Sequence, residues 1–143
     1  MRTLRRVVIT GIGLITPLGA NAEASWAKLL RGDSGIKPIE SFDVDDLPAK
    51  IAGTINELDS VEGVFRPDEW LEPKEQRKID RFILLGLVAA SQAVTDSGWL
   101  PENDEDRIKT GVIIGSGIGG LQQIYDNSCL LYTSPSPRDG LLS

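Results

Sequence analysis

The sequence predicts an α/β fold with a mostly parallel sheet, and three observations carry that prediction. Two short runs of β-branched and apolar residues, Arg6 to Ile9 and Thr110 to Ile114, each lead straight into a glycine-rich bend. Runs of this kind read as strands buried on both faces. Between them, Pro73 to Ser97 has the composition of a long helix, and strands alternating with helices favour parallel pairing through crossover connections. At 143 residues and 41% hydrophobic, the chain has the size and make-up of one soluble domain with a core.

Taken in order, the first strand ends at Thr10-Gly11-Ile12-Gly13, and Pro17-Leu18-Gly19 continues the turn. Asn21 is a good N-cap for a short helix, because its side chain accepts from a first-turn N–H; Glu23 suits the positive end of the helix dipole. Trp26, Leu29 and Leu30 lie three and four apart and mark the face this helix would bury. Gly32 stops it at the residue after the cap. Asp33 to Pro48 is turn-rich, and its run Asp43-Val44-Asp45-Asp46 reads as a solvated loop. Ala49 to Ile55 is a candidate strand, and Leu58 to Leu71 is irregular, anchored by Val64, Phe65 and Trp70.

Pro73 fits the first position of a helix, where its missing N–H costs little. The helix would run unbroken to Ser97 and end at Gly98. From Phe82 to Ala90 it is apolar all round, which calls for burial on several sides. The other elements are too few to cover it, so the sequence implies missing partners: more chain, or a second subunit. Pro101 to Lys109 reads as an acidic connector, and Leu121 to Tyr125 opens a last helix. After Asn127 the character changes, and Pro135 and Pro137 end any helix begun at Leu121. Residues 128–143 resemble translated adapter sequence. The expected organisation is a partial domain over 1–127 followed by a non-native tail over 128–143.

Residue counts exclude whole classes of chemistry. There is no histidine, so no imidazole base and no Cys/His zinc site. The single cysteine, Cys129, rules out an internal disulfide and fits a reducing, cytoplasmic compartment. Lying in the suspect tail, it reads as an incidental thiol. No run approaches the ~18 consecutive apolar residues of a membrane span. No metal or cofactor is called for, and the acidic residues are scattered without an acid–base pair. A net charge of −6 argues against nucleic acid.

One segment departs from that acidic balance. Lys74 to Arg81 holds four cations and two anions, a local +2 that leaves −8 on the rest of the chain. Lys74, Arg77 and Lys78 fall at i, i+3 and i+4, one face of a helix. A basic spot on an acidic body selects an acidic partner. The plainer alternative is a solvated face neutralised by Glu75 and Asp80.

Gly115, Gly117 and Gly120 satisfy G-x-G-x-x-G after an expected strand, the pattern that brings backbone N–H groups to a pyrophosphate. That use also needs an acidic residue about 20 positions on, and only Asp139, in the tail, is available. Gly11 and Gly13 form an earlier pair with Thr16 in place of a third glycine. The alternative for both is close backbone packing, where glycine removes the Cβ.

These stretches, in order, resemble the β-ketoacyl-acyl-carrier-protein synthases, within them the condensing enzymes of dissociated bacterial fatty acid synthesis. The resemblance rests on Arg6 to Gly13 with Thr16 to Gly19; Trp26 with Leu29 to Ile36; Phe42-Asp43; Glu75 to Phe82; and Gly115 to Leu121. It implies a thiolase-type fold, a layered α-β-α-β-α sandwich of two similar halves in a homodimer, of which this chain is the opening part of the first half. It also implies decarboxylative Claisen condensation between acyl- and malonyl-carrier protein, using a cysteine nucleophile and two histidines. This chain has neither histidine, and Cys129 lacks the nucleophile's surroundings, so no catalytic residue is assigned and the fragment is expected to be inactive. By position, Lys74, Arg77 and Lys78 match the family's basic patch for the acidic acyl carrier protein. Ile118 matches a residue lining and gating the acyl pocket near the dimer interface; without the resemblance it reads as a core isoleucine. Two rivals stay open: a chain-length-factor-like partner subunit without catalytic residues, and a dinucleotide-binding oxidoreductase.

Overall fold

Helix α1, Ala22–Leu30, forms where Asn21 places it in the computed structural model, which describes residues 5–55 and 65–133. Asn21 is extended, and its Oδ1 accepts from the Ala24 N–H at 2.8 Å. At the other end Gly32 takes φ +77, and the Gly32 and Asp33 N–H groups donate to the carbonyls of Leu29 and Lys28 at 3.0 Å each. Only a residue at ease in the left-handed region closes a helix in this way. Asn21→Ala removes one cap bond and should cost about 1 kcal/mol, read as a lower urea midpoint.

The buried face of α1 differs from the expected one. Trp26, Leu29 and Leu30 are exposed, Trp26 by 59%, and the buried residue is Ser25. A polar knot holds this helix instead of an apolar stripe. Thr16 and Gly19 exchange backbone hydrogen bonds at 2.9 and 3.1 Å, and the Leu18 N–H donates to Thr16 Oγ1. Thr16 Oγ1 and Ser25 Oγ lie 2.8 Å apart, with Ser25 Oγ also donating to the Gly19 carbonyl. The Pro17 ring packs against Gly35 and Gly53, where side chains would collide with it.

The sequence predicts one helix from Pro73 to Ser97; the structure has two. Helix α2 is the single turn Pro73–Gln76, and α3 is Arg81–Ser97. Between them the Lys78 and Ile79 N–H groups tighten onto Glu75 and Gln76, and Asp80 turns extended at φ −72, ψ 153. Gln76 Nε2 donates to the Leu71 carbonyl at 2.7 Å and to Asp68 at 2.8 Å, tying α2 to the 3-10 turn Pro67–Glu69. Asp80 is an N-cap residue type inside the charged run, and it marks the restart. Gly98, at φ +63, ends α3 as expected.

The core sits on α3. Phe65, Leu84 and Val88 are buried, and Ile15, Ala20, Ile55, Leu71, Ile79 and Leu85 pack around them. Of the expected anchors, Phe65 holds, Trp70 stays 43% exposed, and Val64 lies outside the described residues. Residues 11–14 run along α3. The Ile12 N–H donates to Asp96 Oδ2 at 2.9 Å and the Leu14 N–H to Gln92 Oε1 at 3.2 Å. The intervening Gly11 and Gly13 face the small-residue ridge Ala89, Ala93 and Ser97 without a Cβ between.

The expected parallel sheet is not formed among the described residues. Their one sheet pairs β1, Lys37–Pro38, antiparallel to β2, Ile51–Ala52, so the strand expected over Ala49–Ile55 shrinks to two residues. Arg6 to Ile9 and Gly111 to Ile114 lie outside any strand and form no backbone hydrogen bond among the described residues, and Val7, Ile9, Val112 and Ile113 are largely exposed. A parallel strand needs neighbours beside it and cover on both faces, and no described element supplies them. The connector expected at Pro101–Lys109 contains helix α4, Asp104–Lys109. Asn103 caps it through the Asp106 N–H at 2.8 Å, and Asp104, Glu105 and Asp106 fill its first turn. Helix α5, Leu121–Thr133, continues without a break past Asn127.

Candidate functional site

Lys74, Arg77 and Lys78 lie on α2 and the tightened turn that follows it, all three exposed. The break before α3 leaves their spacing intact, since Arg77 keeps helical dihedrals at φ −68, ψ −14. Lys78 Nζ pairs with Glu75 at 2.5 Å, so part of the cluster is neutralised as the plainer reading expects. Lys74 and Arg77 form no ion pair among the described residues. The fourth cation, Arg81, is engaged, donating to the Ile55 carbonyl. The surface left to a partner is therefore a pair of open cations with a third beside them.

Ile118 sits in the glycine stretch before α5 and is 77% exposed. It is not the core isoleucine that its surroundings suggest. The two ends of this stretch differ. Added Cβ atoms at Gly115 and Gly117 would meet nothing within 4 Å among the described residues. A Cβ on Gly119 would lie 2.6–2.9 Å from three ring atoms of Phe82, and one on Gly120 would lie 2.8 Å from Asp80 Oδ2. The dinucleotide pattern needs a strand running into this turn, and residues 110–115 are not one. Among the described residues no three metal-ligating side chains converge, and Cys129 is exposed on α5.

No hydrogen bond or ion pair among the described residues joins the cations to Ile118. Asp80 and Phe82 join them: they follow the cationic turn directly and touch the glycines that follow Ile118. The resemblance singles out neither residue for a role. Asp80 carries a local signal, as a cap-type residue between two helical stretches, whereas the contact of Phe82 crosses about 37 positions of chain and has none.

Residues 4–141 match the family described as beta-ketoacyl synthase, N-terminal domain. The chain belongs to the beta-ketoacyl synthase family. Its relatives agree. It is 56% identical over 123 residues to the 3-oxoacyl-[acyl-carrier-protein] synthase 2 of Rhizobium meliloti, covering 86% of this chain and 29% of that protein. It is 43% identical over 120 residues to the synthase 2 of Vibrio cholerae, covering 84% and 27%. The chloroplastic 3-oxoacyl-[acyl-carrier-protein] synthase II of Arabidopsis thaliana is 41% identical over 124 residues, covering 85% and 22%. This beta-ketoacyl synthase chain thus spans less than a third of the length of these relatives. Membership assigns it to the thiolase-like fold, of which the described residues show helices and one short antiparallel pair. No helix among the described residues is long and apolar enough to cross a membrane.

Proposed function

We propose that this chain supplies the carrier-docking surface and an acyl-pocket gate of a 3-oxoacyl-[acyl-carrier-protein] synthase. That enzyme is a cytoplasmic homodimer that elongates acyl-carrier protein with malonyl-carrier protein by decarboxylative Claisen condensation. Residues 1–127 open the first half of its layered sandwich, and 128–143 are an added tail. The observation that carries the docking role is the open pair Lys74 and Arg77 on a chain of net charge −6. An acidic carrier is drawn to that pair and repelled elsewhere, which favours one docking pose. The names of the relatives support the choice of carrier and reaction. Ile118, exposed beside hinge-permitting glycines, has room to change rotamer as an acyl chain passes.

Charge reversal tests the docking role in the full-length synthase. Lys74→Glu with Arg77→Glu should raise KM for acyl-carrier protein about tenfold, as expected for two exposed charge pairs of about 0.7 kcal/mol each, and flatten its salt dependence. Lys78→Glu should do less, because Glu75 already offsets that charge. An unchanged KM and salt slope would remove the cations from the docking surface.

The 143-residue chain contributes binding and gating but not the reacting groups. Carbanion formation in this reaction is assisted by two histidines, and the sequence has none. Radiolabelled malonyl-carrier protein incubated with the purified chain should yield no elongated product; turnover would refute this division of labour.

A further inference from the structure

Asp80 and Phe82 stand at the start of α3, yet the Asp80 carboxylate does not serve its own helix. Its backbone is that of an N-cap, but its side chain accepts no cap hydrogen bond. The carboxylate instead faces Gly120, which has φ +74 and whose carbonyl accepts from the Ile124 N–H at 2.9 Å in the first turn of α5. A carboxylate beside the N-terminus of a 13-residue helix meets the positive end of its dipole. Phe82 adds an apolar contact, its ring lying where the side chain of any residue but glycine at 119 would go. The glycine stretch is therefore anchored at Gly119–Gly120 and open at Gly115–Gly117, with Ile118 at the anchored end.

The anchor leads directly to the cations. From Lys74 to Phe82 the backbone is a helical turn, two tightened hydrogen bonds and the first residues of α3, and Ile79 within it packs on the core. Only Ile79, Asp80 and Arg81 separate Lys78 from Phe82, so a shift of the cationic turn has a short path along the chain to the ring.

We propose that Phe82 is a positioning residue for Ile118, coupling carrier docking at Lys74 and Arg77 to the acyl gate. The idea rests on the reading of Ile118 as that gate. It is tested in the full-length synthase by the ratio of kcat/KM for long over short saturated acyl-carrier thioesters. Gly119→Ala drives a Cβ into the Phe82 ring, and Phe82→Ala removes the ring. Each should move the ratio about tenfold, the size of a methylene-scale misfit in an apolar pocket. The double variant should move it no further than Phe82→Ala alone, because the collision is gone. Reversing Lys74 and Arg77 should change the ratio in the native background and not in Phe82→Ala. Additive shifts, or no shift from Phe82→Ala, overturn the proposal; Phe82→Leu serves if the alanine variant does not fold. Ile118→Phe separates the two ideas. If it moves the ratio and Phe82→Ala does not, the coupling falls and the gate stands. If neither moves it while amide exchange over residues 116–120 quickens in Phe82→Ala, the anchor stands but the gate reading falls, and the coupling falls with it.

Discussion

Gly13→Val should free the segment 11–15 from α3 at a cost of about 3 kcal/mol or more, the upper end for overpacking a well-filled core. A Cβ at this position would overlap the Ala89 carbonyl oxygen and come within 2.8 Å of the Ala93 nitrogen. Both are backbone atoms of α3 and cannot rotate aside as a side chain would. The segment must move, and three things go with it. The Ile12 N–H leaves Asp96, the Leu14 N–H leaves Gln92, and Ile15 leaves the core. Hydrogen bonds to a charged acceptor contribute about 1.5–3 kcal/mol and neutral ones about 1, which sets the size of the effect. Native-state hydrogen exchange reads it directly: the Ile12 and Leu14 amides should lose about two decades of protection. Gly86→Ala is the control. It lies inside α3 with open space around it, so alanine should add up to ~1 kcal/mol through helix propensity. Unchanged protection in Gly13→Val would mean that the segment does not lie against the helix.

How much of this was legible in the sequence depends on the range of each interaction. The ends of α1 and the end of α3 were readable from Asn21, Gly32 and Gly98, because caps are local and their residue types carry the mechanism. The restart at Asp80 has a local signal too, but the apolar run from Phe82 outweighs it. The basic face was readable because charge is conserved whatever the fold. By contrast, the buried residue on α1 is set by Thr16, nine positions away, through a hydroxyl pair that no hydrophobic period reveals. Gly11 and Gly13 announce close packing but not its partner, which lies about 80 positions on. The glycines before α5 look alike in sequence, and only the fold shows that Phe82 meets one end while the other is open.

The two strands that do not form lead to the largest effect of all: the isolated chain should self-associate. Val7, Ile9, Val112 and Ile113 are 95%, 84%, 82% and 99% exposed. Burying each of these side chains is worth about 1.5–3 kcal/mol, so the four together approach the whole stability of a small domain. Their backbones add a second drive. Arg6 to Thr10 and Gly111 to Ile118 form no hydrogen bond among the described residues, and unpaired, β-branched backbone is a template for pairing with another chain. Glu102 to Asp106 lends the neighbourhood acidic charge, but its cluster sits on and before α4 and not within the strand-forming runs. Sedimentation should show species that grow with concentration in the range of about 10–100 µM where exposed apolar edges associate, with strong binding of a fluorescent hydrophobic dye. Ile9→Lys with Ile113→Lys places a charge within each run and should shift the population towards monomer while leaving the α3 core untouched. A single monomeric species at the highest concentration, with no dye binding, would show that the two runs are covered within the chain itself.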